Sequence, residues 1–241
     1  MTFLRAACVV TLGCFAVVCA HAQESQKQSH AGMTMDHMND DPVEYLVLLD
    51  RLEFQDTNAA APFAWDARAW VGRDLNRLYL RSGGEIADGK TQEATVEAFW
   101  ARPVSRWWNL ALGVREDFRP GDSRGWLAAG VMGLTPYRFN VQATAYLGDA
   151  GRTALRVEVE YDMLLTNRLI LQPRVELDAY GKDDPERDIR SGISSLEVGL
   201  RLRYEIRREF APYAGVAWVN KCGYSNDVHE LRALAGLRIW F

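Results

Sequence analysis

The chain has 241 residues, 48% of them hydrophobic, and its 28 basic residues stand against 32 acidic ones for a formal charge of −4. A mildly acidic balance lacks the basic footprint that a nucleic-acid partner requires. Beyond the amino terminus no stretch approaches about 18 consecutive apolar residues, which excludes helical membrane spans.

Residues 1–22 read as a cleaved export signal. Arg5 is the only charge, Ala6 to Cys19 form a short apolar run, and Ala20-His21-Ala22 supplies a small-x-small pattern before Gln23. A lipoprotein signal is the rival reading, but Val18 is bulky for the position before Cys19, and Cys14 lies inside the apolar run. Cleavage removes Cys8, Cys14 and Cys19, leaving Cys222 as the only thiol and no internal disulfide framework. It also removes the charge of Arg5, so −4 becomes −5. About 220 residues remain, enough for one domain and a short tail.

Residues 23–43 read as a flexible tail. A Gln/Ser-rich stretch is followed by His30-Ala31-Gly32-Met33-Thr34-Met35-Asp36-His37-Met38, which holds three of the six methionines and two of the four histidines. Thioether and imidazole are soft or borderline ligands suited to copper, and thioethers favour Cu(I). His30, Met33, Met35, His37 and Met38 are therefore candidate metal ligands, with Asp36 assisting Cu(II). The competing reading is an ordinary disordered linker, although methionine is uncommon in such segments.

From residue 44 onward the pattern changes to two-residue periodicity, the signature of half-exposed strands. Weaker alternation covers residues 45–55, 62–72, 75–83, 91–102, 106–118 and 124–135. The first of these is the least tidy, because Asp50 shares a face with Leu48 and Leu52. Phe139, Val141, Ala143, Ala145 and Leu147 then alternate with polar neighbours. Next, Leu155, Val157, Val159, Tyr161, Met163 and Leu165 oppose Arg156, Glu158, Glu160 and Asp162. Residues 169–178 repeat the pattern, with Pro173 arguing for a bulge or a barrel rim. Residues 196–206, 210–220 and 231–241 complete the series, the last ending in Arg238-Ile239-Trp240-Phe241.

About twelve strands result, an even number, joined alternately by short and long connections. Short turns fall at residues 102–105, 135–138, 165–168 and 207–209. Longer loops are expected at residues 56–61, 83–90, 119–124, 181–192 and 221–230. Trp65, Trp100, Trp107, Trp108, Trp126, Tyr137, Phe139, Tyr213, Trp218 and Phe241 lie near strand ends, where interfacial girdles form. The expected fold is an all-β, transmembrane, antiparallel up-and-down barrel in the outer-membrane lipid. It must close, because lipid offers no hydrogen bonds to an open sheet edge.

The polar faces then place Asp66, Glu97, Asp117, Glu158, Glu160, Asp162, Glu176, Asp178, Glu197 and Glu205 in the lumen, with Arg68, Arg115, Arg156, Arg174, Arg201, Arg203 and Arg238. A salt-bridge network filling a narrow barrel is one reading, and the interleaving of Arg with Glu favours it. A carboxylate-lined cation path is the other. Catalysis lacks a constellation: His229 is the only histidine of the barrel region, and no acid orients it toward the nearby Ser225. If the tail is not the metal site, Met132, Met163, Cys222 and His229 are the next ligands to test.

Several long runs resemble the copper resistance protein B family. They include Asp50-Arg51-Leu52-Glu53, Trp65-Asp66-Ala67, Asp74-Leu75-Asn76, Gly113-Val114-Arg115-Glu116-Asp117-Phe118-Arg119-Pro120-Gly121 and Glu160-Tyr161-Asp162-Met163-Leu164-Leu165-Thr166. Arg168-Leu169-Ile170-Leu171-Gln172-Pro173-Arg174 and the stretch from Leu200 to Tyr213 belong with them. The resemblance spans about residues 37 to 241. It implies a Gram-negative outer-membrane barrel of a copper-resistance system, which binds Cu(I) or Cu(II) or moves it across that membrane. By the same resemblance the tail ligands face the periplasm, and soluble periplasmic copper carriers are expected partners. Two expectations follow for the barrel: a conduit for captured copper, or a closed anchor for a sequestering tail. The chain departs from the family in having one Met/His cluster and a short loop at residues 219–231. Its oligomeric state is open.

Overall fold

The structure, a computed structural model, describes residues 42–57, 62–224 and 227–241. Strands follow one another as antiparallel hairpins: β1 (Glu44–Asp56), β2 (Phe63–Arg73), β3 (Asn76–Ala87), β4 (Lys90–Pro103), β5 (Trp108–Arg119), β6 (Arg124–Leu134) and β7 (Phe139–Gly148). Then come β8 (Thr153–Tyr161), β9 (Met163–Leu164), β10 (Leu169–Tyr180), β11 (Gly192–Tyr204), β12 (Phe210–Cys222) and β13 (Asp227–Trp240). Both β8 and β9 pair with β10 in one continuous register, Arg174↔Glu160 and Leu171↔Met163, so they form one stave interrupted at Asp162. The sheet therefore has twelve staves, and β1 closes it against β13 from Leu48↔Trp240 to Asp56↔Ala233. Val47 and Phe241 exchange backbone hydrogen bonds of 2.9 and 3.1 Å at the seam. Closure leaves no unpaired edge, which satisfies the backbone without help from solvent.

The two-residue alternation sorts side chains between outside and lumen. In β5, Leu110, Leu112 and Val114 are exposed on the outer wall, while Ala111 and Arg115 are buried inside. Outward apolar residues on every stave make the external belt. Inside, a cluster of Phe99, Ala101, Ala111, Trp126, Ala128 and Tyr146 packs along β4–β7, and a smaller one joins Tyr213, Ala217, Val219 and Leu234. Barrels of about eight strands are filled by side chains and those of 16–18 hold open channels. Twelve staves fall between, and here buried side chains occupy the lumen beside a cavity of about 360 Å³.

The structure corrects several sequence expectations. Residues 83–87 are strand rather than loop, and β3 turns into β4 through Asp88 and Gly89 alone, both at positive φ (52° and 69°). This is the backbone of a tight primed hairpin turn, for which Asp-Gly is a strong signal. Likewise β12 and β13 extend to Cys222 and from Asp227, shortening the expected 221–230 loop. The untidiness around Asp50 is a bulge: register shifts after Leu49 against both neighbouring strands. The extra residue lets Asp50 and Arg51 both reach the lumen, where they form ion pairs. Pro173 makes no bulge, since register is unchanged on both sides of it. Its missing N–H coincides with the break in pairing at Asp162. Of the aromatics expected in girdles, Trp126 and Tyr213 are lumenal, because each shares parity with small inward residues of its strand.

Candidate functional site

The candidate site is the charged lumen. Its hub is Arg174 on β10, whose side chain is 3% exposed. Arg174 lies 3.1 Å from Glu160 and from Glu176, 3.5 Å from Glu158, 3.6 Å from Asp66 and 3.7 Å from Asp50. Arg68 joins the same carboxylates, 3.1 Å from Asp66 and from Glu158 and 3.7 Å from Asp50 and from Glu160. Arg81 pairs with Glu158, and Arg51 bridges Asp66, Glu176 and Glu197 at 3.7 Å each. Residues from β1, β2, β3, β8, β10 and β11 thus meet inside the lumen.

Satellite pairs extend the network. Glu53, fully buried, accepts hydrogen bonds from Arg201 (3.1 and 3.2 Å), Tyr213 (3.0 Å) and Gln55 (2.8 Å). Tyr146 donates to Glu97 (2.8 Å), and Trp126 donates to Asp117 (2.8 Å) beside Arg115. Arg156 pairs with Asp178 (2.8 Å), and Arg238 with Asp50 (2.9 Å). Charges taken from water are tolerated here because nearly every one has an opposite partner, although Arg51 Nε, Glu160 Oε1 and Arg238 Nε are buried without a hydrogen bond.

On the long-loop side the network forms the floor of a cavity of about 360 Å³, bounded by Arg51, Asp66, Glu176, Glu197, Lys221 and Arg232 among others. Residues 181–191 reach across this mouth. Arg124 pairs with Asp184, Arg187 donates to the Asp122 carbonyl and sits 3.6 Å from Asp117, and the Tyr224 N–H donates to the Asp188 carbonyl (3.3 Å). Within the loop, the Ser191 N–H donates to Asp183 (2.7 Å) and holds that carboxyl below the usual carboxylate range.

The expected lumen residues converge with few exceptions. Asp66, Glu97, Asp117, Glu158 and Glu160 are buried inside, and Glu176, Asp178 and Glu197 join their ion pairs. Asp162 does not belong to the central cluster. It sits at the short-turn mouth with its side chain 45% exposed, paired with Arg203, and Glu205 lies 4.0 Å from the same arginine. Sequence reasoning missed Asp50, Arg51, Glu53, Gln55, Arg81 and Arg232. The bulge hid the parity of the β1 residues, whereas Arg81 could have been found from its alternation with Leu78 and Leu80. The tail ligands His30, Met33, Met35, His37 and Met38 lie outside the described residues, as does Ser225.

The central ion-pair network does not suit a bound Cu(I) ion. Its donors are hard carboxylate oxygens, and guanidinium groups already engage them. Among the described residues no group of three or more His, Cys, Asp or Glu side chains could hold a metal ion. Cys222 contacts Asn220 (3.7 Å), and His229 stands opposite Asn220 across the β12–β13 pair. Met163 is exposed on the outside, and Met132 packs against the larger apolar cluster.

Comparison with known proteins places this architecture. The family model described as "Copper resistance protein B precursor (CopB)" matches residues 43–241. A "Copper resistance protein B homolog" from Pseudomonas syringae pv. tomato is 47% identical over 221 residues, covering 88% of this chain and 74% of the relative. "Copper resistance protein B" from Escherichia coli is 43% identical over 227 residues, covering 90% and 77%. Among solved structures, the NanC porin superposes with a TM-score of 0.57 at 11% identity, covering 81% of this chain and 99% of that one, a likeness of fold alone.

Proposed function

Since the chain belongs to the copper resistance protein B family, we propose that it serves copper resistance as an outer-membrane protein that captures copper with His30, Met33, Met35, His37 and Met38. In this reading a signal over residues 1–22 is removed, the tail over residues 23–43 carries the ligands, and the barrel anchors it. The short-turn end faces the periplasm, as in bacterial outer-membrane barrels. Soluble periplasmic copper carriers are the proposed partners.

The observation that carries the closed-anchor reading is the buried Arg174, whose ion pairs join β1, β2, β8 and β10 across the lumen. A copper cation on that path would meet a buried guanidinium and carboxylates already paired to Arg68, Arg81 and Arg174. The cavity above this floor supports a second reading, a conduit that opens when the plug rearranges. No catalytic step is proposed.

Titration of Cu(I) and Cu(II) into the protein in detergent, beside a variant lacking residues 30–38, tests capture. Loss of binding with the tail is the expected result, and undiminished binding would refute it. Copper flux into proteoliposomes tests closure: a copper-specific leak above empty vesicles would overturn the closed anchor in favour of the conduit.

A further inference from the structure

The short-turn rim is chemically uneven. Three consecutive short turns, joining β4 to β5, β6 to β7 and β9 to β10, present Arg102, Arg106, Arg138 and Arg168 with no carboxylate in residues 101–110, 133–141 or 164–171. All four arginines are exposed, and among the described residues none forms a salt bridge. The other two short turns differ, carrying Asp74 and the pair Glu205 and Glu209.

Between these arginines stand exposed apolar and aromatic side chains: Val104, Trp107, Tyr137, Leu164 and Leu165, with Tyr137 the most exposed at 79%. They continue the outer apolar belt. Arg138 adopts a left-handed backbone (φ 66°) in a turn closed by its N–H to the Thr135 carbonyl (2.9 Å). Glycine would hold that conformation without the roughly 1 kcal/mol penalty of an L side chain, so the turn geometry does not account for arginine there.

We infer that this arc, from β4 to β10, binds the phosphates of anionic phospholipid headgroups in the leaflet around the short turns. Aromatic rings at headgroup level and cations reaching phosphate are the two elements of interfacial lipid recognition. Continuity of the apolar residues with the belt favours lipid over an acidic protein, which would need a surface facing away from the membrane. The inference rests on the membrane-spanning reading above and is independent of copper capture.

The full protein would be extracted from vesicles of phosphatidylcholine mixed with phosphatidylglycerol, and the co-purifying lipids measured by mass spectrometry. Phosphatidylglycerol should be enriched over its share in the vesicle. One surface arginine is worth about fivefold in such partitioning. Combining Arg102→Gln, Arg106→Gln, Arg138→Gln and Arg168→Gln should therefore lower the enrichment by about fivefold or more. The four corresponding Lys variants should retain it. Heat-modifiable gel mobility confirms that each barrel is folded, and copper titration of the same preparations separates failure here from failure of the capture reading. An unchanged lipid ratio would overturn the inference. So would enrichment that follows Lys90, Arg119, Lys182 and Arg190 at the opposite rim, or arc-dependent binding of an acidic peptide without lipid enrichment.

Discussion

Replacing Arg174 by Gln tests whether the lumen is held by a buried plug or merely decorated with charge. The substitution keeps a polar side chain but removes the cation from a site where five carboxylates lie within 3.7 Å. Breaking a buried pair from one side costs roughly 3–5 kcal/mol, because uncompensated charge is left behind. Arg68 and Arg51 still reach Asp66, at 3.1 and 3.7 Å, and the cavity lets water approach Glu176. These compensations argue for the lower end, about 3 kcal/mol. The assay is urea unfolding in phospholipid vesicles followed by tryptophan emission, with Arg174→Lys expected to recover part of the loss. The exposed Lys90→Gln, at the opposite rim, serves as a control near zero, as expected for a surface charge. A loss at Arg174 below about 1 kcal/mol, the range of surface pairs, would refute the reasoning.

Other expectations follow from single contacts. Tyr213→Phe removes a 3.0 Å hydrogen bond to the fully buried Glu53, and should cost about 1–2 kcal/mol in the same unfolding assay. Gly113→Val would set a Cβ 2.1 Å from the Ala98 carbonyl oxygen, so the heat-modifiable folded band should be lost. By contrast Gly121→Ala has open space but a φ of 74°, and should cost only about 1 kcal/mol. Because the Asp183 carboxyl is held below its ordinary value by Ser191, its contribution to loop order is full above the unfolded pKa and fades as pH falls through the folded one. Protection factors for amide exchange in residues 181–191, normalised to the intrinsic rate at each pH, should be flat from neutral pH down to about pH 4 and fall below it. Protection that falls on raising the pH through this range instead would contradict the Asp183–Ser191 contact.

Much of the barrel was legible in the chain because strand alternation is local. The facing of Leu155 against Arg156, of Leu110 and Leu112 against Ala111, and the short turns at residues 135–138 and 165–168 follow from neighbours alone. Where local reading failed, a residue broke the period or a turn was tighter than composition suggested. At Asp50 an extra residue reset the parity. At Asp88-Gly89 the Gly- and charge-rich stretch looked like a loop, yet only two residues leave the ladder. Residue type alone places Trp126 and Tyr213 at the interface, whereas their parity turns them inward.

By itself the sequence determined an alternating, closed antiparallel barrel, a polar lumen and a Met/His segment, since each depends on residue order over a few positions. Only the tertiary structure decided which charges meet. Arg201 reaches Glu53 across 148 residues of chain, and Arg232 reaches Gln55 across 177. Those partnerships depend on stave stagger and on the closure of β13 against β1. Neither is written in any local pattern, because a barrel's interior neighbours are set by how the last strand returns to the first.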